Sequence, residues 1–366
     1  MCAFSDNTHI LIDCNITDDS RDENEKARYD VHAHLLKFGK KLNGIPHVDA
    51  FILTHSDRDH CGGFDTTFYT GDPSKYSEKH LKDGLLLIDE LWFTRRIFSP
   101  HEKDLSDPAK TFRAEAYRRI NLHKAGSADG NKPGNRIRII GYSDNPDYKG
   151  LEHLVTGPGS YINVIDGKRK SDFKFFVHAP FRLETDSKWS ERNDTSVVLQ
   201  ARFTAGGIEG AALAMFGGDA KAGIWSKILE RSEEATLQWD LFLAPHHCSW
   251  SFFSDEPYKL NKVPAEASLA LLKKRVGKGR IVASCKPIRN DDDNPPHYAA
   301  KVLYVKEVSN SNFYSISEIP NEEQPLPLIF EMSAEGPVLI ETSAASVITS
   351  SAAIRQVAKT PQTYGR

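Results

Sequence analysis

The run Thr54-His55-Ser56-Asp57-Arg58-Asp59-His60-Cys61-Gly62-Gly63 constrains this chain more than any other segment. It grows out of Ala50-Phe51-Ile52-Leu53, a short apolar stretch of the kind that forms a buried strand. Four metal-capable side chains then fall within six positions, a density that packing does not explain. Neutral imidazole and carboxylate are both good ligands for Zn, Mn or Fe, so a metal site at the carboxyl end of a strand is expected. The glycine pair that follows suits a tight backbone path around such a cluster.

The same arrangement recurs. Thr8 to Asp13 reads as a strand ending in an aspartate. Ser196 to Phe203, a glycine-rich turn and Ala211 to Phe216 read as a hairpin whose second arm ends in Gly217-Gly218-Asp219. Leu241 to Ala244 is strand-like and runs into Pro245-His246-His247. Strand ends in one α/β layer converge, so these distant segments are expected to build one pocket. A surface helix is expected within 19–42, a helix over 224–234 and a strand over 280–284, followed by the loop Asn294-Pro295-Pro296-His297. Residues 64–150 hold apolar runs at 85–88 and 91–93, a helical stretch at 106–122 and a short strand at 137–140. They contain no second ligand cluster and are expected as an insertion at the pocket rim.

Bulk composition narrows the partners. With 47 Lys plus Arg against 50 Asp plus Glu, the formal charge is -3. That excludes a protein that coats nucleic acid by overall charge but leaves room for a local basic groove. Hydrophobic residues at 39% allow a sizeable core in 366 residues. The five cysteines form no CxxC pair, which points to a reducing, cytoplasmic compartment. No run approaches 18 apolar residues, so no membrane span is expected.

Taken in order, His55-Ser56-Asp57-Arg58-Asp59-His60, Asn193-Asp194-Thr195-Ser196, Gly218-Asp219 and Pro245-His246-His247-Cys248-Ser249 resemble the motifs of metallo-β-lactamase-fold hydrolases. The branch most similar is the soluble domain of ComEC-type DNA-uptake proteins and its stand-alone relatives. The resemblance covers roughly residues 8 to 300. It implies an α+β fold, a four-layer αββα sandwich, taken to span residues 1–334 with the rim insertion at about 64–150, while the composition of 335–366 reads as a Ser/Ala/Thr-rich extension. Little sequence precedes residue 8, so the family's first hairpin must be short or begin upstream.

The resemblance further implies one or two divalent ions, Zn or Mn, held by His55, Asp57, Asp59, His60, the bridging Asp219 and His246. Asp57 and Asn193 stand where the family has histidines, so the first site is expected to be oxygen-rich, with Asn193 a further candidate ligand. Asp13 is expected to orient a histidine. Asp59, His247 and His297 are the candidate catalytic groups, His247 and His297 as proton donors. The implied activity is a metal-dependent hydrolase, foremost a phosphodiesterase or nuclease using a metal-bound hydroxide on nucleic acid or a small phosphodiester. An ester, lactone or amide hydrolase on the same centre and a non-catalytic metal-binding scaffold are the alternatives. Arg58, Lys286 and Arg289 are candidates for phosphate binding. Trp250, Phe252 and Phe253 would either stack on a base or pack their loop.

Overall fold

The computed structural model describes residues 1–16, 28–99, 104–182, 185 and 191–340. Two mixed sheets of seven strands each organise it. The first contains Cys2–Ala3 (β1), His9–Ile12 (β2), Lys40–Leu42 (β3), Ile45–Ile52 (β4), Leu87–Thr94 (β5), Arg136–Ile140 (β6) and Val155–Thr156 (β7). Its order is β1-β2-β4-β5-β6-β7, with β3 antiparallel to β4. From β2 to β7 all neighbours along that path are parallel, while β1 and β2 form a short antiparallel hairpin.

The second sheet contains Tyr161–Ile162 (β8), Phe173–Ala179 (β9), Val198–Ala205 (β10), Ile208–Phe216 (β11), Trp239–Leu243 (β12), Arg275–Ala283 (β13) and Phe313–Ser315 (β14). Its order is β14-β13-β12-β11-β10-β9-β8. The pairs from β11 to β14 are parallel and those from β8 to β11 antiparallel. A hairpin of Ile329–Ser333 (β15) and Gly336–Ile340 (β16) lies against β10, β11 and β12. The Ser/Ala/Thr-rich extension expected from 335 thus begins with strand β16, and residues 341–366 lie outside the described residues.

Strand alternation sets the layering. Ala50, Ile52 and Trp92 join Phe175, Val177, Leu199, Ala201 and Ala214 in one core between the two sheets. Their odd-numbered neighbours Phe51, Leu53, Leu91 and Phe93 point the other way. There they meet Leu35 of helix α1 (Val31–Phe38) and Ala109, Phe112 and Ala116 of helix α2 (Asp107–Lys124). On the outer face of the second sheet, Trp225, Leu272 and Tyr304 bring in helices α3 (Ala222–Arg231), α4 (Glu266–Leu272) and α5 (Tyr298–Val308). No helix among the described residues is long and apolar enough to cross a membrane.

Two expectations change and one open alternative is decided. Residues 64–150 are not confined to the rim: β5 and β6 are interior strands of the first sheet, and α2 covers it. Leu87–Thr94 is buried throughout, as a strand covered on both faces must be. The helix expected within 19–42 is limited to Val31–Phe38, and 17–27 lie outside the described residues. Trp250, Phe252 and Phe253 are fully packed into the second sheet's outer core and offer no stacking face.

The amino-terminal ends of β4, β5 and β6 carry a buried ionic cluster. Asp49, Asp89 and Asp166 bring carboxylate oxygens within 4.8 Å of one another. Lys40 pairs with Asp49 and stands 3.7 Å from Asp89, His47 Nδ1 lies 2.9 Å from Asp89, and Arg136 pairs with Asp166. Lys40 and Arg136 already supply countercharge, so the cluster reads as structural. Burial and the neighbouring Asp89 raise the Asp166 carboxyl to about 6. Replacing Lys40 by Ala would leave Asp49 and Asp89 buried without their ammonium. We expect Lys40→Ala to lower stability by about 3–5 kcal/mol in urea unfolding; a loss below about 1 kcal/mol would show that the cluster contributes little.

Candidate metal centre

The carboxyl ends of β2, β4, β11 and β12 meet at one place. Ile12 is followed by Asp13, Ile52 by Leu53-Thr54-His55, Phe216 by Gly217-Gly218-Asp219, and Leu243 by Ala244-Pro245-His246. Because β10 is antiparallel to β11, its start lies beside β11's end, and Ser196 Oγ accepts a bond from the Asp219 amide at 3.2 Å. The sheets are stitched there by Val197 N donating to Thr54 O at 3.1 Å. Gly218 allows this approach. Its φ is +49, and a Cβ would stand 3.1 Å from both Ser196 and Thr54.

Four imidazoles surround Asp219, and each is gripped from outside through Nδ1. His60 Nδ1 lies 2.7 Å from Asp13 Oδ2, and His247 Nδ1 2.7 Å from the Ser284 carbonyl. Thr54 Oγ1 donates to Asp13 at 2.6 Å and so accepts from His55 Nδ1 at 3.1 Å. Ser251 Oγ lies 2.8 Å from His246 Nδ1. An Nδ1 that donates outward leaves the lone pair of a neutral ring on Nε2, facing the centre. All four Nε2 atoms therefore converge on the Asp219 carboxylate.

The spacings divide the donors into two groups. Around Asp219 Oδ2, His55 Nε2 and His246 Nε2 each stand at 3.6 Å, and Asp57 Oδ2 lies 3.5 Å from His55 Nε2. Around Asp219 Oδ1, His60 Nε2 stands at 3.0 Å and His247 Nε2 at 3.8 Å, with Asp59 Oδ2 3.1 Å from His247 Nε2. Two donors each about 2.1 Å from a tetrahedral ion stand roughly 3.4 Å apart, close to these pair spacings, and the donors that lie mutually close are His55, His60 and Asp219, and Asp59, His60 and His247. His60 and His247 face each other Nε2 to Nε2 at 3.0 Å, which two lone pairs tolerate only with a cation or a proton between them. His55 Nε2 and Asp219 Oδ1 are buried without a hydrogen-bond partner. Orphaned buried acceptors of this kind are what a bound ion would satisfy. The clusters support metal binding.

This arrangement corrects the expected ligand distribution. Of the Pro245-His246-His247 turn, only His246 is an expected ligand, with His247 a proton donor. The structure places His247 with Asp59 and His60, and turns His246 toward the His55 side. His246, His247 and Cys248 have φ of 50, 53 and 68, so successive rings splay to opposite sides of Asp219. His246 thereby supplies an imidazole to the group expected to be oxygen-rich. Among the described residues no hydrogen bond joins the Asn193 side chain to the cluster: it begins a short turn, and its carbonyl accepts from Ser196 N.

His297 is a helix cap, not a group in the cluster. Its Nδ1 accepts from Ala299 N at 3.2 Å, its ring packs on Trp250 and Tyr258, and its amide donates to Cys248 O at 2.9 Å. Lys286 and Arg289 pair with Asp293 and Glu322 on exposed surface. Cys61 Sγ donates to Asp57 O, and burial pushes its thiol up to about 12, so it stays protonated. Arg192, Ser251 and Ser284 escaped the sequence reading. Arg192 Nη1 donates to Asp57 Oδ1 at 2.8 Å. Arg192 directly precedes the Asn-Asp-Thr-Ser motif, the one signal that singles it out, whereas a carbonyl such as that of Ser284 leaves no mark in a sequence.

Electrostatics follow from the crowding. Burial pushes His60 toward the neutral ring, but Asp13 and Asp219 outweigh it and raise its pKa well above the ordinary value. His55 and His247 rise against the same burial, through Asp219 and Asp57 for the former and Asp59 and Asp219 for the latter. Burial also opposes the ionised form of Asp219, yet His55 and His60 hold it well below the usual carboxylate range. With no ion bound, protons on histidine balance the aspartates.

A raised histidine pKa stabilises the fold fully below the unfolded value and ceases to do so as pH climbs through the folded one. We expect the melting temperature of chelator-stripped protein to fall as pH rises above about 6.5, and added Mn or Zn ions to abolish that fall. A flat profile in stripped protein would contradict the charge pattern described. No protein-family model matches the chain and no curated protein is found to be similar to it.

Proposed function

We propose that this chain is a metal-dependent phosphodiesterase of the metallo-β-lactamase-fold type, with two divalent ions sharing Asp219. The observation that carries this reading is the convergence of four outward-anchored histidines on the two oxygens of one buried carboxylate. On this reading His55, Asp57 and His246 hold one ion, and Asp59, His60 and His247 hold the other. Mixed nitrogen and oxygen donors suit Zn or Mn better than an all-oxygen preference for Mg. The alternation of two sheets with helices on both outer faces supports the αββα assignment.

Bound ions would lower the pKa of water and stabilise negative charge on a substrate's oxygens. The chain's own groups do the rest. Asp13, Thr54 and Ser284 hold three of the imidazoles in the tautomer with Nε2 inward, and Ser251 anchors the fourth. Asp59 is half exposed and pairs only with His247 among the described residues, so it is placed to take a proton at the mouth. Arg96 lines a small hollow with His55, Ser56 and Thr94, and Arg58 lies on the ligand-bearing turn. The Arg58 guanidinium, exposed on that turn, favours an anionic phosphodiester, nucleic acid included, over an uncharged ester or lactone.

Metal-replete protein should therefore hydrolyse at least one of single-stranded DNA, double-stranded DNA, RNA or a generic phosphodiester. Asp59→Asn, at the half-exposed mouth, should lower that rate at least about a hundredfold while leaving the circular dichroism spectrum unchanged. Hydrolysis confined to esters or lactones in a parallel panel would replace this reading with carbonyl chemistry on the same centre.

A further inference from the structure

We infer that Thr54 is a positioning residue of the metal centre: its hydroxyl relays the Asp13 carboxylate to His55, so that one aspartate aims both imidazoles of the His55, His60 and Asp219 set. This rests on the metal-binding reading above. The ligand atoms of those three residues lie within 4.8 Å of one another. His60 meets Asp13 directly, Nδ1 to Oδ2 at 2.7 Å. For His55 Nδ1 the one hydrogen-bond partner among the described residues is Thr54 Oγ1, at 3.1 Å.

A hydroxyl has one proton, and the direction it takes decides what His55 can do. Asp13 Oδ2 lies 2.6 Å from Thr54 Oγ1, nearer than His55 Nδ1 at 3.1 Å, and a carboxylate is the stronger acceptor. The proton goes to Asp13. The hydroxyl oxygen then accepts from His55, whose Nδ1 must carry a proton of its own. A neutral His55 so held keeps its lone pair on Nε2, which faces Asp219 Oδ2 at 3.6 Å. Reversing the hydroxyl would move the ring proton to Nε2 and end its use as a ligand. The His55 side chain is buried, so solvent does not replace the lost partner.

The backbone fixes both ends of the relay without help from the rings. Asp13 N donates to Ile52 O at 2.9 Å, and Asp13 Oδ1 accepts from Thr54 N at 2.7 Å. Thr54 O accepts from Val197 N at 3.1 Å, and the branched side chain has few χ1 wells to choose from. Asp13 sits in the left-handed region, with φ of 54, a conformation that Asn accepts as readily as Asp. Replacing Asp13 by Asn therefore removes the charge and leaves the turn. A threonine that merely satisfied its own hydroxyl would need one partner. Thr54 has two, and the accepting side serves a ring nitrogen with no other.

The test is the overall Zn affinity of full-length protein, read by competition with a chromophoric chelator, together with imidazole nitrogen NMR of histidine-labelled, Zn-loaded protein. Thr54→Val keeps the branched shape, removes the hydroxyl and should weaken Zn binding about tenfold or more. Thr54→Ser keeps the hydroxyl, frees it among three wells and should stay within about threefold of wild type. Asp13→Asn loosens both rings and should cost about a hundredfold. In the Asp13→Asn background, Thr54→Val should add less than about threefold, because the relay is already broken. A purely structural threonine would cost its full factor again. In wild type, which needs no variant to fold, the spectrum should show His55 bound through Nε2 with a proton on Nδ1. A bare Nδ1 on His55, wild-type affinity in Thr54→Val, or full additivity of the two substitutions overturns the inference and leaves the metal centre standing. Wild type that takes up no Zn, nor Mn in a parallel equilibrium dialysis, overturns the centre and this inference with it.

Discussion

The structure depends on one buried carboxylate meeting four imidazoles. Asp219 is 3% exposed, far too buried to remain ionised without compensation. Its compensation comes from both sheets, His55 and His60 from the first, His246 and His247 from the second. The sheets must therefore dock in one register, the one that brings β4's end against β11's. The contact of Val197 with Thr54 and the missing side chain at Gly218 are the backbone form of that requirement.

The loop that delivers two of those rings is held against a conformational cost. Three consecutive non-glycine residues, His246 to Cys248, sit in the left-handed region, at roughly 1–2 kcal/mol each. Several hydrogen bonds oppose that cost at about 1 kcal/mol apiece. His246 N donates to Gly218 O, Ser249 N to His246 O, His297 N to Cys248 O, and Asn294 Oδ1 accepts from both Ser249 Oγ and Trp250 N. The two sums are of similar size. His297 thus matters to the centre through its backbone and its helix cap, well away from any proton transfer.

What was legible in the sequence follows from this physics. Strand ends that stop in His or Asp are local patterns, and Asp13, His55, His60, Asp219 and the Pro245-His246-His247 turn could all be marked from them. The division of labour between His246 and His247 was not legible, because it depends on φ angles that nothing in a Pro-His-His-Cys string specifies. The role of residues 64–150 was misjudged because Leu87–Thr94 carries Asp89 and Glu90 within a buried strand. Those charges blur the apolar run, and their partners Lys40, His47 and Arg138 lie far away in sequence. Arg192 was hidden for the same reason: its partner Asp57 is 135 positions distant.

The first sheet is polarised along its strands, and this bears on how the centre acts on the fold. At the amino-terminal ends of β4 and β5 the chain supplies its own cation, Lys40, fixed among aspartates. At the carboxyl ends it gathers aspartates and histidines with no lysine among them. Between the two poles lies the apolar block of Ala50 to Leu53 and Leu91 to Phe93, which keeps water out of both. The first pole holds an ammonium fixed among its carboxylates, whereas the second balances its aspartates through imidazoles. An ion held by ligands from both sheets adds its binding free energy to their docking. Metal occupancy and sheet association are then one equilibrium, with Asp219 at their junction.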